Sequence, residues 1–315
     1  MAASLSRSGQ AKHRKPFPTH IIVFLAPAVF VYGLFMIYPL FDSLRLGFFA
    51  QVTRGVEQFV GFDNYVTLMT DDVILQPRLL NALKNSFLFF AVNMLVQNPI
   101  ALMLAAVLST KTRGGLLYRI LIFSPAILSL AIAGFVWRLV LSPLWGIVYD
   151  ILKALGLGAY AQPWLGLEST ALITLALISA WQFLGIPMML YYATLISIPN
   201  DLFEAAYVDG ATDWQIFWRI KLPLLMPMIG IISLLTYIGN FNAFDVIFAL
   251  KGADAGPNYA SDTMMTFFYR TFFGSGFQKA DPHMGAAVAG TMFVILMAGV
   301  LIYFFIRQRI TSYEL

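Results

Sequence analysis

Few residues of this chain are of the types that do covalent or metal chemistry. There is no cysteine, which removes disulfides, thiolate metal ligands and a thiol nucleophile. The three histidines, His13, His20 and His283, lie far apart and match no ligand spacing such as HExxH, so no metal site is expected. No G-x-x-x-x-G-K-[ST] run occurs, so the chain encodes no backbone cradle for nucleotide phosphates. Neither paired aspartates within the apolar runs nor a histidine cluster supplies the acid, base or nucleophile of a membrane enzyme. Two sets of polar residues remain. One is the segment Pro199 to Pro227, PNDLFEAAYVDGATDWQIFWRIKLPLLMP; the other is a group of neutral side chains embedded in apolar runs.

The polar segment has a legible local design. Asp201 is placed to start a helix, its carboxylate capping the amide of Glu204 in a D-x-x-E variant of the capping box. Asp209-Gly210 supplies a break, because glycine alone accepts positive φ without penalty. Thr212, with Gln215 three residues on, forms a T-x-x-Q capping box that starts a second helix. Pro223 then ends that helix or opens the next run, and Ala205, Ala206 and Ala211 keep the elbow narrow. Each feature alone is common in amphipathic loops. Their joint occurrence between two long apolar runs sets this segment apart.

The elements that hold these groups are apolar. The chain has 315 residues, 59% hydrophobic and 11% charged, with a mean hydropathy of +0.76, which is not the composition of a water-soluble domain. Six uncharged stretches stand out: Ile21 to Leu40, Asn85 to Leu108, Ile120 to Trp137, Ser169 to Asn200, Leu222 to Phe244 and Met284 to Ile306. Each is long enough to cross a bilayer, and lipid offers backbone amides no partner, so each must be a helix. The expected fold is therefore all-α, a polytopic membrane protein of six transmembrane helices. Residues 1–20 form a basic tail, 21–310 the transmembrane domain with the segment 199–223 between spans four and five, and 311–315 a short C-terminal end. The fourth run exceeds what a span needs, so part of it leaves the membrane near Pro199. The first run is too long for a signal-peptide core and reads as a retained helix.

Charge orients the spans. With the tail Lys12-His13-Arg14-Lys15 in the cytoplasm, eleven Lys and Arg fall inside and nine outside, while Asp42, Glu57, Asp63, Asp71, Asp72, Asp150 and Glu168 fall outside. Both termini are expected in the cytoplasm. The formal charge of +4 forms no continuous patch, so nucleic acid is not an expected partner. Between spans one and two, GFDNYVTLM suggests a folded external loop. Between spans three and four, Trp145, Tyr149, Tyr160 and Trp164 suit the lipid headgroup level.

The residues Glu204-Ala205-Ala206, Asp209-Gly210-Ala211, Phe217, Ile220, Leu222-Pro223 and Pro227 resemble the EAA signature of binding-protein-dependent ABC transporter permeases. The wider resemblance runs from FLAPAVF through FVGFDNY to NFNAFDVIFAL and is similar to the carbohydrate-uptake branch, the maltose and glycerol-phosphate permeases in particular. In that family the segment is a coupling helix that docks in a cleft of the ATPase, where its glutamate pairs with a basic residue. The resemblance implies an inner-membrane permease of a bacterial importer that is not itself an enzyme and holds no cofactor, ATP and Mg being bound by a partner ATPase dimer. It also implies a second homologous permease forming a heterodimer, an external solute-binding protein and a carbohydrate substrate. Closure of the ATPases would rock the spans between inward and outward access.

The neutral groups within the spans admit two readings. Asn93, Gln97 and Asn98, Gln182, and Thr236, Asn240 and Asn242 do not face lipid cheaply, and they serve either helix packing or a solute path. Packing is expected for span two. For span five, Thr236, Asn240 and Ala243 share one helical face, and in maltose-type permeases the corresponding face lines the cavity. Trp181 and Gln182 are the expected opposing groups, an aromatic surface and an amide suited to a sugar ring. The competing class is an ion-coupled secondary sugar transporter, which needs ionisable groups inside the membrane; Asp245 and Arg138 sit only near span ends.

Overall fold

The computed structural model describes residues 19–311 except 54, 72, 111, 112 and 277, so most of the expected basic tail and the last four residues lie outside the described residues. The chain divides into two units, Met1–Arg45 and Leu46–Leu315. In the first, α1 (Thr19–Tyr32) passes through a π turn (Gly33–Ile37) into α2 (Tyr38–Leu46), giving an apolar rod that ends at a paired Asp42 and Arg45, 3.0 Å apart.

The second unit opens with a departure from an all-α chain. Strands β1 (Phe49–Thr53) and β2 (Val56–Phe59) pair antiparallel, with Phe49 opposite Phe59 and Gln51 opposite Glu57. The Asn64 amide donates to the carbonyls of Gly47 and Phe49, pinning this hairpin to α3 (Asp63–Thr70), so the GFDNYVTLM stretch is folded. Then follow α4 (Leu75–Val92) and α5 (Asn98–Leu108), continuous through a π turn at Asn93–Gln97. Next come α6 (Gly115–Phe123) and α7 (Leu130–Val140), the short α8 (Ile147–Ala154), and the pair α9 (Glu168–Phe183) and α10 (Gly185–Ser197). The polar segment supplies α11 (Asp201–Val208) and α12 (Asp213–Ile216), which runs through a third π turn, Phe217–Lys221, into α13 (Leu222–Phe241). After a break come α14 (Asp245–Lys251), α15 (Met264–Phe273) and the long α16 (Pro282–Thr311).

The three π turns share one cause. Each is followed, at the second residue past its end, by a proline: Pro39, Pro99 and Pro223. A proline ring clashes with the carbonyl four residues back, here the middle of each turn, and a locally wider turn gives that carbonyl room. Pro223 therefore does not end the second short helix; it stands in the first turn of α13. It sits within a continuous run from Asp213 to the end of α13.

The apolar run Ile120 to Trp137 does not fold as one rod. Its two helices are bent by 98° around Leu128 and Ser129, whose backbone is extended after the turn Ser124–Ile127. The α9 and α10 pair is bent by 45°. At that bend a Cβ on Gly185 would lie 2.5 Å from the Phe123 Cα, so only glycine lets α10 cross α6 this closely. Among the described residues, four helices are long and apolar enough to cross a membrane, or six if each bent pair is one span.

Three apolar clusters hold the second unit together. Ala101, Ala105, Met188, Tyr191, Leu225 and Ile232 join α5, α10 and α13. Phe89, Leu172, Leu175, Val246 and Ile247 join α4, α9 and α14. Leu68, Leu79, Phe241, Phe267 and Val288 join α3, α4, α13, α15 and α16. Helix α13 thus contributes to two clusters, one toward each of its ends.

Candidate functional site

The exposed elbow is built by local chemistry. At the end of α11 the Gly210 N–H donates to the Tyr207 carbonyl and the Ala211 N–H to the Ala206 carbonyl, the paired bonds of a Schellman motif. Gly210 takes φ +79°, as the motif requires. Thr212 and Gln215 then form the expected capping box, the Gln215 side chain accepting from the Thr212 N–H at 2.8 Å and the Thr212 hydroxyl from the Gln215 N–H at 3.4 Å. The other expected box is absent. Asn200 is the N-cap of α11 and makes no side-chain cap, while Asp201 is already the first helical residue, and the Glu204 N–H donates to the Asn200 carbonyl at 3.0 Å instead of to the Asp201 carboxylate.

Across the elbow the Tyr207 hydroxyl donates to Asp213 at 2.6 Å, and that bond to a carboxylate pushes the phenol pKa up from its ordinary value. Lys221 sits 5.0 Å from the Phe203 ring centroid and holds α11 against the base of the long run. Glu204, Ala205, Asp209, Gly210 and Pro223 are exposed, and Ala206, Ala211, Phe217 and Leu222 half-buried. Val208, 88% exposed, stands beside Glu204 on a short helix with no core beneath it.

A cavity of about 300 Å³ lies further along the same run. Thr236, Gly239 and Asn240 of α13 form one wall, and the break after α13 adds Asn242, Ala243 and Phe244. Helix α14 contributes Asp245 and Val246, and the π turn between α4 and α5 contributes Asn93 and Gln97. Ser179 and Phe183 of α9 and Pro187 of α10 close the far side. Helix α14 is pinned at both ends. The Arg138 guanidinium donates to the carbonyls of Ala249 and Leu250 at 3.0 and 2.8 Å, and the Thr263 hydroxyl donates to the Ala243 carbonyl at 2.9 Å.

Thr236, Asn240 and Ala243 all line this cavity, although the helix stops at Phe241 and Ala243 reaches it from the break. The Asn240 amide donates to the Thr236 carbonyl at 2.6 Å, which fixes its rotamer. Trp181 and Gln182 do not line it, and the expectation that they oppose Asn240 is corrected here. The 98° break frees the Leu128 carbonyl, and the Gln182 amide donates to it at 3.2 Å; Gln182 is buried as a brace. Trp181 stacks edge-on against Trp137, with ring centroids 5.3 Å apart. Packing in span two holds for Asn98, whose amide donates to the Thr236 hydroxyl at 3.2 Å, while Asn93, whose amide donates to the Phe89 carbonyl at 2.9 Å, and Gln97 are buried and also border the cavity.

Sequence reasoning also missed a polar knot beyond α14. Arg270 and Asp262, both fully buried, pair at 2.5 Å, and Thr266 donates to the same carboxylate at 2.6 Å. Burial pushes the Asp262 carboxyl above the usual range, opposed by Arg270, Thr266 and Arg78. Arg78 and Arg270 stand 4.3 and 4.5 Å from the Tyr259 ring centroid. Asn81 donates to the Tyr259 carbonyl, and Asn85 to those of Ala260 and Asp262. Two opposite charges eight residues apart in an otherwise apolar segment were the available signal. Among the described residues no group of three His, Asp or Glu is placed to hold a metal ion.

Comparison with known proteins places this architecture. Residues 97–312 match the family described as binding-protein-dependent transport system inner membrane component. The probable ABC transporter permease protein YurN of Bacillus subtilis (strain 168) is 32% identical over 279 residues, covering 88% of this chain and 91% of its own. The lactose transport system permease protein LacF of Rhizobium radiobacter is 30% identical over 281 residues, 89% of this chain and 90% of its own. A bacterial alginate ABC transporter solved with an alginate pentasaccharide-bound periplasmic protein superposes with a TM-score of 0.76 at 24% identity, over 93% of this chain and 95% of that one. That likeness speaks to the fold alone. An apolar multi-helix chain with this match over more than half its length belongs to the binding-protein-dependent transport system inner membrane components, the permease subunits of ABC transporters.

Proposed function

We propose that this chain is the permease subunit of an ATP-driven importer for a carbohydrate, with six spans and both termini in the cytoplasm. The segment 199–223 is its coupling element, Glu204 and the exposed face of α11 docking on an ATPase subunit that binds ATP and Mg. Solute arrives from an external binding protein and passes the cavity at Asn240 and Thr236, with a second homologous permease completing the path. The sugar assignment draws on relatives whose names specify lactose, arabinooligosaccharides and multiple sugars, and on a largely apolar cavity that also presents amides and hydroxyls suited to sugar hydroxyls.

One observation carries the coupling reading. The run that starts at the Thr212 cap continues through the π turn and α13 to Asn240 without a break, so the exposed elbow and the cavity wall are parts of one rod. At 1.5 Å per residue the rod is roughly 40 Å long, so a tilt imposed at the elbow is delivered at the cavity. The test is reconstitution with the partner subunits. Glu204→Lys, which reverses a charge expected to meet a basic partner, should abolish solute-stimulated ATP hydrolysis while the chain still inserts. Normal coupling in that variant, or uptake driven by an ion gradient with no ATPase present, refutes the proposal.

A further inference from the structure

The charges around the cavity narrow the class of solute, an inference that rests on the transport reading above. Six polar residues lining it are neutral: Asn93, Gln97, Ser179, Thr236, Asn240 and Asn242. Asp245 is the one charged side chain among its described lining residues, and no lysine, arginine or histidine is there. Arg138 and Lys251 are both at the other end of α14. Arg138 is engaged there with the carbonyls of Ala249 and Leu250, and Lys251 is the last residue of the helix, roughly 9 Å along the axis from Asp245.

We propose that Asp245 makes this cavity selective against anions, so that the chain passes neutral or cationic polyhydroxylated solutes and disfavours uronate-bearing or phosphorylated ones. An ionised carboxylate only accepts hydrogen bonds, and its two oxygens suit a pair of neighbouring hydroxyls on one sugar ring. The same charge repels a carboxylate or phosphate where no cation compensates and water is partly excluded. The neutral amides around it donate to and accept from hydroxyls without preference for charge.

The absence of cysteine from the sequence makes a direct reading practical. A Cβ on Gly239 meets nothing within 4 Å, so Gly239→Cys places one thiol in the cavity without displacing a neighbour. In the complex assembled with its ATPase in nanodiscs, that thiol is modified with methanethiosulfonates bearing trimethylammonium, sulfonate or no charge. The cation-to-anion rate ratio, normalised to a free thiol, should exceed unity by about tenfold. It should persist in Asp245→Glu and fall to near unity in Asp245→Asn. A ratio that Asp245→Asn leaves unchanged overturns the charge assignment while leaving the path intact. A thiol that the uncharged reagent cannot reach, or whose modification leaves solute-stimulated ATP hydrolysis untouched, overturns the path itself and the inference with it.

Discussion

Gly210 offers a quantitative handle on the elbow. Its φ of +79° lies in the left-handed region, and a side chain there would meet nothing within 4 Å, so substitution acts through backbone conformation and not through crowding. For an L-residue the left-handed conformation costs roughly 1–2 kcal/mol, and asparagine tolerates it better than alanine. A shift of that size changes the population of the closed Schellman turn by about 5–30-fold. Proline is worse. It fixes φ near −65° and removes the N–H that donates to the Tyr207 carbonyl at 3.0 Å. Solute-stimulated ATPase activity in the reconstituted complex should therefore fall in the order Gly, Asn, Ala, Pro, with co-purification of the partner subunits confirming assembly. Wild-type coupling in Gly210→Ala, or Asn falling below Ala, would show that the left-handed bend is not what the element requires.

Arg270→Met, which strands Asp262 in the interior, should lower the thermal stability of the purified complex by about 3–5 kcal/mol, and adding Asp262→Leu should recover most of it; additive losses would refute the pairing. Gln182→Leu removes both the donor to the Leu128 carbonyl and a buried unpaired oxygen, so it should destabilise by only about 1 kcal/mol and leave solute preference unchanged in an uptake panel. Asn240→Leu should weaken solute-dependent transport by about 1–3 kcal/mol, with Asn93→Leu acting in the same direction because both line the cavity. Asn98→Leu should instead lower complex yield, and a yield defect confined to Asn93→Leu would undo the assignment of that wall.

How much of this was legible depends on the range of the interactions involved. The Thr212 box and the Gly210 bend were readable because every partner lies within five residues. Asp201 was misread because one residue, Asn200, shifts the helix start and with it the capping geometry. Faces beyond a π turn were harder still. The turn at Asn93–Gln97 inserts an extra residue, so a wheel drawn at 100° per residue slips there, and the sequence alone does not show that Asn93 and Gln97 border the cavity while Asn98 bonds to Thr236. The role of Gln182 was out of reach, since its partner carbonyl is freed only by the 98° break, which no glycine announces in the sequence. Asp245 reads in the sequence as a charge near a span end, but its place in the cavity depends on how the chain resumes as α14 after the break at Asn242.

The knot around Arg270 bears on how relatives of this chain can be recombined. The stretch from the break after α13 to the start of α16 looks in sequence like a self-contained loop, a natural piece to exchange between permeases. Its fasteners are elsewhere: Arg78, Asn81, Asn85 and Ser86 on α4 and Arg138 on α7. A chimaera cut at both ends of the stretch would import a buried aspartate and arginine without the side chains that secure their backbone. The exchangeable module is therefore discontinuous along the chain, and those five distant residues must be inherited from the same parent as the loop they fasten.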